Sequence, residues 1–188
     1  MSVDFIEILR STGVMQEGHF KLTSGRHSDR YMQCARLFEY PEESSRVCAA
    51  VADAFRGEKI DLVAGPALGG VIMAYEVARA LGVRNVFAER ENGAMTFRRG
   101  FYVAPGSRVL VVEDVVTTGG SVKEVVDLLR AEGAEIVGVA SVVDRSNGSV
   151  NFGVPFRALV SMNVESWEAD DCPLCKQNLP ITKPGSRK

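Results

Sequence analysis

The sequence lacks the features that would point to a membrane, an export route or nucleic acid. No apolar run approaches the ~18 residues needed to cross a bilayer. Residues 1–10 alternate charged and apolar side chains and contain no signal-peptide core. The formal net charge is −2, without the basic surplus of general nucleic-acid binders. We therefore expect a cytoplasmic protein that binds neither membranes nor nucleic acid.

Cysteine and histidine are also scarce. Four cysteines in a chain of this size, with no export signal, favour reduced thiols over disulfides. Cys172 and Cys175 form a CxxC pair, but no second CxxC or HxxxH completes four zinc ligands, so a tight turn is favoured over a zinc site or a redox pair. Because neither His19 nor His27 has a second ligand at metal spacing, both are interpreted as structural or solvent-facing.

What the chain does have is a regular alternation of apolar runs and amphipathic stretches. The runs at 62–64, 109–112 and 136–143 predict strands buried on both faces. Between the last two runs, four apolar residues recur at helical spacing, namely Val122, Val125, Val126 and Leu129. Strand, helix, strand, helix is typical of an α/β fold, here a parallel sheet of about five strands flanked by helices.

The flanks of the chain do not follow this alternation. Residues 19–40 and 150–165 look like shorter, turn-rich β segments that could cap the sheet. We expect a single domain over residues 1–188, with a core at about 41–149 and a small hood from about 1–40 and 150–188.

The richest chemistry lies after the strand at 109–112. That strand delivers Glu113 and Asp114 to its carboxyl end, where ligands bind in parallel sheets. Hydroxyl side chains and glycines precede the next helix, whose exposed amides attract phosphate. Adjacent acids suit the paired hydroxyls of a ribose. Neither the Gly-Lys-Ser/Thr of a P-loop nor GxGxxG is present, and a plain strand-to-helix turn is the structural alternative.

Residues 109–121 resemble the PRPP-binding motif of type I phosphoribosyltransferases. The resemblance implies that Glu113 and Asp114 hold the ribose hydroxyls and stabilise positive charge that develops at C1′. It also implies Mg²⁺ as the cofactor, carried mainly by PRPP with no dedicated protein ligands. The 5′-phosphate would be surrounded by Val115, Val116, Thr117, Thr118, Gly119, Gly120 and Ser121.

Further segments are similar to the orotate-specific members of that family. Residues 18–28 resemble their amino-terminal element, and residues 65–70 resemble their pyrophosphate loop. Arg145 stands where these members place an arginine against the orotate carboxylate, which an arginine fork can bind through two parallel hydrogen bonds. A surface pair between Arg145 and Asp144 is the alternative.

By resemblance, the chain joins orotate to PRPP and releases pyrophosphate, with Thr117 and Arg145 at the orotate. The pyrophosphate loop would bind through Ala67, Leu68 and Gly69, and relatives often hold a strained, sometimes cis, peptide between the first two. Rival functions are a purine or uracil phosphoribosyltransferase, or a PRPP-sensing regulator. The regulator would need a DNA-binding module, for which the residues before the first core strand leave little room.

Residues 89–100 depart from the family, whose mobile loop is longer and contains lysine and histidine. Arg90 keeps a matching place, so we assign it to catalysis and PRPP binding, with Arg98 and Arg99 as further cations. We expect a mobile lid that serves the neighbouring subunit of a homodimer, so that active sites are shared. A solvated hairpin is the alternative.

Overall fold

A computed structural model describes residues 3–22 and 24–184. The chain divides into two compact units. The larger unit is Phe38–Met162, and the smaller unit joins the two ends of the chain, Met1–Leu37 and Asn163–Lys188.

The elements follow one another as helices and strands, with short 3-10 helices at Cys34–Glu39 and Ala169–Asp171. In chain order they are α1 (Phe5–Ser11), β1 (Met15–Lys21), β2 (His27–Met32), α2 (Pro41–Ala54), β3 (Leu62–Pro66), α3 (Gly69–Leu81), β4 (Arg84–Glu91), β5 (Ala94–Phe97), β6 (Arg108–Val116), α4 (Gly120–Ala131), β7 (Glu135–Asp144), β8 (Phe156–Ser161) and α5 (Pro173–Lys176).

The larger unit is built on a six-stranded sheet in the order β5-β4-β3-β6-β7-β8. Five neighbouring strands run parallel, namely β4, β3, β6, β7 and β8. At one edge, β5 is added antiparallel to β4. The predicted α/β fold, with a parallel sheet of about five strands flanked by helices, is therefore confirmed.

The centre of this sheet has the continuous apolar strands that the sequence predicts. Residues 109–112 of β6 are fully buried, and β7 is buried from Ile136 to Val143. The face of α4 that carries Val122 and Leu129 is also buried, so the helix covers the sheet with its apolar stripe.

The structure differs from the sequence prediction at β8, which pairs with β7 in the large sheet rather than joining a hood. As an edge strand, β8 is covered less completely, and along it only Val160 is buried. A strand of this kind lacks the unbroken apolar run by which central strands are recognised.

The smaller unit is organised by the antiparallel pair β1 and β2, whose register shifts between Glu17 and Phe20. Two isolated bridges attach the carboxyl-terminal segment to this pair, one joining Phe20 to Thr182 and the other joining His27 to Trp167. Among the described residues of both units, no helix is long and apolar enough to span a membrane.

Candidate active site

The strand order of the larger unit reverses between β3 and β6. From β3 the chain passes through α3 to β4 on one side, whereas β6 and then β7 lie on the other side. In open parallel sheets the crevice at such a reversal, at the carboxyl ends of the strands, is where ligands bind. The segments singled out by sequence at 67–69, 113–121 and 145 all follow or end strands at this edge.

The two acids lie within the last part of β6, which extends to Val116 rather than ending before Glu113. Asp114 is buried and Glu113 is half-buried. The Val115 amide donates a hydrogen bond to Asp114 Oδ1 at 2.7 Å, and the Asp114 amide donates to Glu113 Oε1 at 3.3 Å. Loss of solvent raises the pKa of both carboxyls, and the charge of Asp114 helps to raise the pKa of Glu113 to about 9.

A cavity of about 200 Å³ opens beside these acids, lined by Glu113 and residues 115–122. Gly119 caps the start of α4 with a left-handed φ of +73°. A Cβ atom at this residue would lie 2.9 Å from the ring of Phe152. Only glycine combines that conformation with that contact. The first residues of α4, whose amides have no partners within the helix, line this cavity.

The loop after β3 meets the acids directly. A Cβ atom on Gly69 would lie 2.7 Å from the carboxyl group of Asp114, so the loop can approach only because residue 69 is glycine. The peptide between Ala67 and Leu68 is cis, which confirms the prediction for this bond. The Ala67 amide donates to the carbonyl of Ala88 at 2.8 Å, while the Leu68 side chain is 88% exposed.

Arg145 follows β7 directly, next to the loop after β6. Asp144 pairs with Val116 in the sheet, and the Arg145 amide donates to the Val116 carbonyl at 2.8 Å. The Nε atom of Arg145 is buried and has no hydrogen-bond partner among the described residues. The carboxylate of Asp144 instead accepts the Ser146 amide at 2.7 Å. Arg145 therefore bonds through its backbone to the residue before Thr117, and its Nε–H group is left without an acceptor among the described residues.

Residues 89–100 include the β4–β5 hairpin, which turns at Asn92 and Gly93 with φ of 50° and 88°. The segment therefore has the hairpin backbone that the sequence analysis gave as the alternative to a lid. Its mobility stays a prediction. All three candidate arginines have carboxylate partners, in the exposed pairs Arg90–Glu124, Arg98–Glu91 and Arg99–Glu89.

A second cluster, in the smaller unit, was missed by sequence reasoning. His19 and His27 are buried, and one ligand atom from each lies within 4.8 Å of the sulfurs of Cys172 and Cys175. The prediction that neither histidine has further ligands at metal spacing is therefore wrong. That prediction used only the spacing of ligands along the sequence, whereas pairing between distant segments brings the histidines and cysteines together. Two histidines and a CxxC, summing to four ligands, were the available signal.

The burial of Glu113 predicts a pH-dependent cost to stability. Its folded-state pKa lies above the ordinary value of about 4.3, so between these two values the folded state binds more protons and stability falls as pH rises. We expect Glu113→Gln to raise the midpoint of thermal unfolding relative to wild type at about pH 8, with the difference shrinking towards about pH 4.

Thermal unfolding followed by circular dichroism across this pH range measures the effect. The exposed Glu132 at the end of α4 supplies the control, and Glu132→Gln should track wild type at every pH. A constant offset between Glu113→Gln and wild type would remove the titration of Glu113 from the explanation.

Comparison with known proteins agrees with this geometry. Residues 36–152 match the family described as phosphoribosyl transferase domain. An orotate phosphoribosyltransferase of Caldanaerobacter subterraneus subsp. tengcongensis is 55% identical over 97% of this chain and 96% of its own. One from Thermotoga maritima is 57% identical over 96% of this chain and 97% of its own.

Among solved structures, the Mycobacterium tuberculosis orotate phosphoribosyltransferase in complex with inorganic phosphate is similar, with a TM-score of 0.70 and 27% identity. The match covers 84% of this chain and 93% of that one. The family match includes β3, β6 and the loops at the strand reversal. On these grounds, the chain belongs to the phosphoribosyltransferase family.

Proposed function

We propose that this protein transfers the 5-phosphoribosyl group from PRPP to orotate, giving orotidine 5′-phosphate and pyrophosphate. The observation that carries the proposal is the adjacent pair of half-buried Glu113 and buried Asp114, which lies beside a hydroxyl-rich helix start at the strand reversal. The names of the relatives with more than half of their residues identical support orotate as the acceptor base.

In this proposal the acids bind the ribose and the following segment binds the 5′-phosphate. The carboxylates of Glu113 and Asp114 accept hydrogen bonds from the 2′- and 3′-hydroxyls. The phosphate occupies the cavity over residues 115–121, where the first amides of α4 and the hydroxyls of Thr117, Thr118 and Ser121 donate to it. Val115 and Val116, the last residues of β6, contribute backbone groups only, because their side chains are apolar.

The acids also act on the reacting carbon. As pyrophosphate leaves, positive charge develops at C1′, and two carboxylates held in a poorly solvated site stabilise that charge without forming a covalent bond. Binding of a cation or of hydroxyl donors lowers the cost of keeping both acids ionised. Mg²⁺ fits this oxygen-rich donor set and, carried mainly by PRPP, would neutralise phosphate charge.

The base site is assigned to Arg145 and Thr117 at adjacent strand ends. The unpartnered Nε of Arg145 is a donor that needs an acceptor, and a carboxylate accepts two donors of one guanidinium. Orotate carries such a carboxylate, whereas uracil and purines do not. This difference favours orotate over the rival bases.

Pyrophosphate is assigned to Ala67, Leu68 and Gly69, with cations from the hairpin that follows β4. Arg90 is the foremost of these, and its guanidinium pairs with Glu124 and the Gly93 carbonyl. Exposed ion pairs of this kind contribute little to stability because solvent screens both charges, so a pyrophosphate can displace the glutamate at small cost.

The proposal extends to assembly. We infer a cytoplasmic homodimer, each chain forming a single domain, in which the hairpin at residues 90–100 serves the site of the neighbouring subunit. Residues 113–121, which bind the ribose and its 5′-phosphate in this proposal, include no lysine or arginine. The charge of pyrophosphate must therefore be neutralised by groups from outside that segment.

A base panel tests the reaction itself. With PRPP and Mg²⁺, orotate should release pyrophosphate, while uracil, adenine and hypoxanthine should not. Asp114→Asn should lower kcat/KM by about 10²–10³-fold, because it removes charge that acts in the transition state. Turnover of a purine in preference to orotate, or near-normal kcat/KM in Asp114→Asn, would contradict the proposal.

Arg145→Ala tests the assignment of the base site. We expect the Kd for orotate to rise about tenfold to a hundredfold, the usual effect of losing a charge-assisted contact, while PRPP binding stays nearly unchanged. Isothermal titration with each substrate measures this, and Arg56→Ala removes an exposed arginine paired with Asp53 as the control. Equal losses for both substrates would make Arg145 structural.

Mixing two inactive variants tests the shared site. In random mixtures of Arg90→Ala and Asp114→Asn, half of the dimers are hybrids and each hybrid regains one intact site of two. Activity should therefore recover to about a quarter of wild type. Native mass spectrometry confirms the exchange of subunits. Hybrids that form and stay inactive would place Arg90 in the site of its own chain.

A further inference from the structure

The cluster of His19, His27, Cys172 and Cys175 is not used by the proposed reaction. The two histidines come from the paired strands β1 and β2, and the two cysteines flank Pro173 and Leu174 at the start of α5. His19, His27 and Cys172 are buried, and Cys175 is half-buried. All four belong to the smaller unit.

The distances within the cluster match a tetrahedral zinc site. Metal–ligand bonds of about 2.0–2.1 Å to nitrogen and 2.3 Å to sulfur place two nitrogens about 3.3 Å apart, and a nitrogen and a sulfur about 3.5 Å apart. His19 Nε2 lies 3.2 Å from His27 Nδ1 and 3.5 Å from Cys172 Sγ. Cys175 Sγ lies 3.7 Å from His19 Nε2 and 3.2 Å from His27 Nδ1.

The tautomer of His19 is fixed in the form that a metal requires. Its Nδ1 lies 2.9 Å from the carbonyl oxygen of Leu179, which can only accept, so Nδ1 carries the proton. In a neutral ring, Nε2 then presents a lone pair to the cluster. A backbone carbonyl that orients a histidine in this way is the usual outer partner of a metal ligand.

Hydrogen bonds alone do not account for the arrangement. The single lone pair of His19 Nε2 has three neighbours, His27 Nδ1 and both sulfurs. It can accept one hydrogen, whereas one cation satisfies all four ligand atoms together. Both cysteines are free thiols rather than a disulfide.

We propose that His19, His27, Cys172 and Cys175 bind one structural zinc ion. Binding releases the two thiol protons to solvent, and Zn²⁺ with two thiolates and two neutral imidazoles has no net charge, which suits a buried site. Four protein ligands leave no open position, so the ion serves stability rather than catalysis. It fastens α5 to the pair of strands at the other end of the sequence.

Metal analysis of the untagged wild-type protein tests the proposal without an activity assay. Protein purified without chelators should contain about one zinc ion per chain by plasma mass spectrometry. After the zinc is removed under reducing conditions, Co²⁺ should give the intense visible bands of a tetrahedral site and a thiolate-to-cobalt charge-transfer band. Zinc removal should also lower the midpoint of thermal unfolding, and its return should restore it.

Variants tie the metal to these residues. Cys175→Ser and His27→Ala should each lower zinc content at least about tenfold. Cys48→Ala, which removes a buried thiol of the larger unit, should keep it. Wild-type protein without zinc and without a cobalt spectrum would overturn the proposal. So would a Cys172–Cys175 disulfide found by mass spectrometry in freshly purified protein, or zinc retained in both cluster variants.

Discussion

Two adjacent carboxyl groups kept from solvent at the end of β6 are the constraint on which the larger unit depends. Their burial is unfavourable, and the surroundings reduce its cost in two ways. The Val115 amide donates to Asp114, and α3 and α4 begin on either side, with partial positive charge at their first turns. Gly69 must be glycine for α3 to begin so close to Asp114. The position of Asp114 thus constrains which residue can begin α3.

The same arrangement separates two kinds of recognition within one crevice. In the proposed function, backbone amides at helix starts bind anions without bringing in mobile charge, while the carboxylates bind hydroxyl donors and positive charge. Arginines stand further out on the β4–β5 hairpin, held by glutamates in exposed pairs. In the structure these arginines pair with glutamates other than Glu113.

Sequence reasoning succeeded where a local pattern has one dominant physical cause. Residues 109–112 are apolar because β6 is covered on both faces, and α4 is apolar along one stripe because it packs on the sheet. The position of Arg145 followed from the end of a recognisable strand. The sequence predicted β structure around β8 but placed it in the hood, because an edge strand carries a weaker pattern and its assignment to the sheet depends on pairing with β7.

The histidine–cysteine cluster shows the other limit of sequence reasoning. Its two histidines lie about 150 positions from its two cysteines, and no local pattern links the one pair to the other. Only the pairing of β1 with β2, and the return of the carboxyl-terminal segment to that pair, brings the four side chains together. Contacts between distant parts of a chain are the part of a fold that composition and periodicity do not encode.

The bridge between Phe20 and Thr182 bears on the order in which the two units can fold. The larger unit is continuous in sequence, so all of its strands are synthesised before residues 163–188. The smaller unit combines segments from both sides of the larger one, and β1 and β2 bridge to Trp167 and Thr182, which are translated after the larger unit. The larger unit can therefore complete its sheet from a continuous segment, whereas β1 and β2 reach all of their native contacts only after residues 167 and 182 have been made.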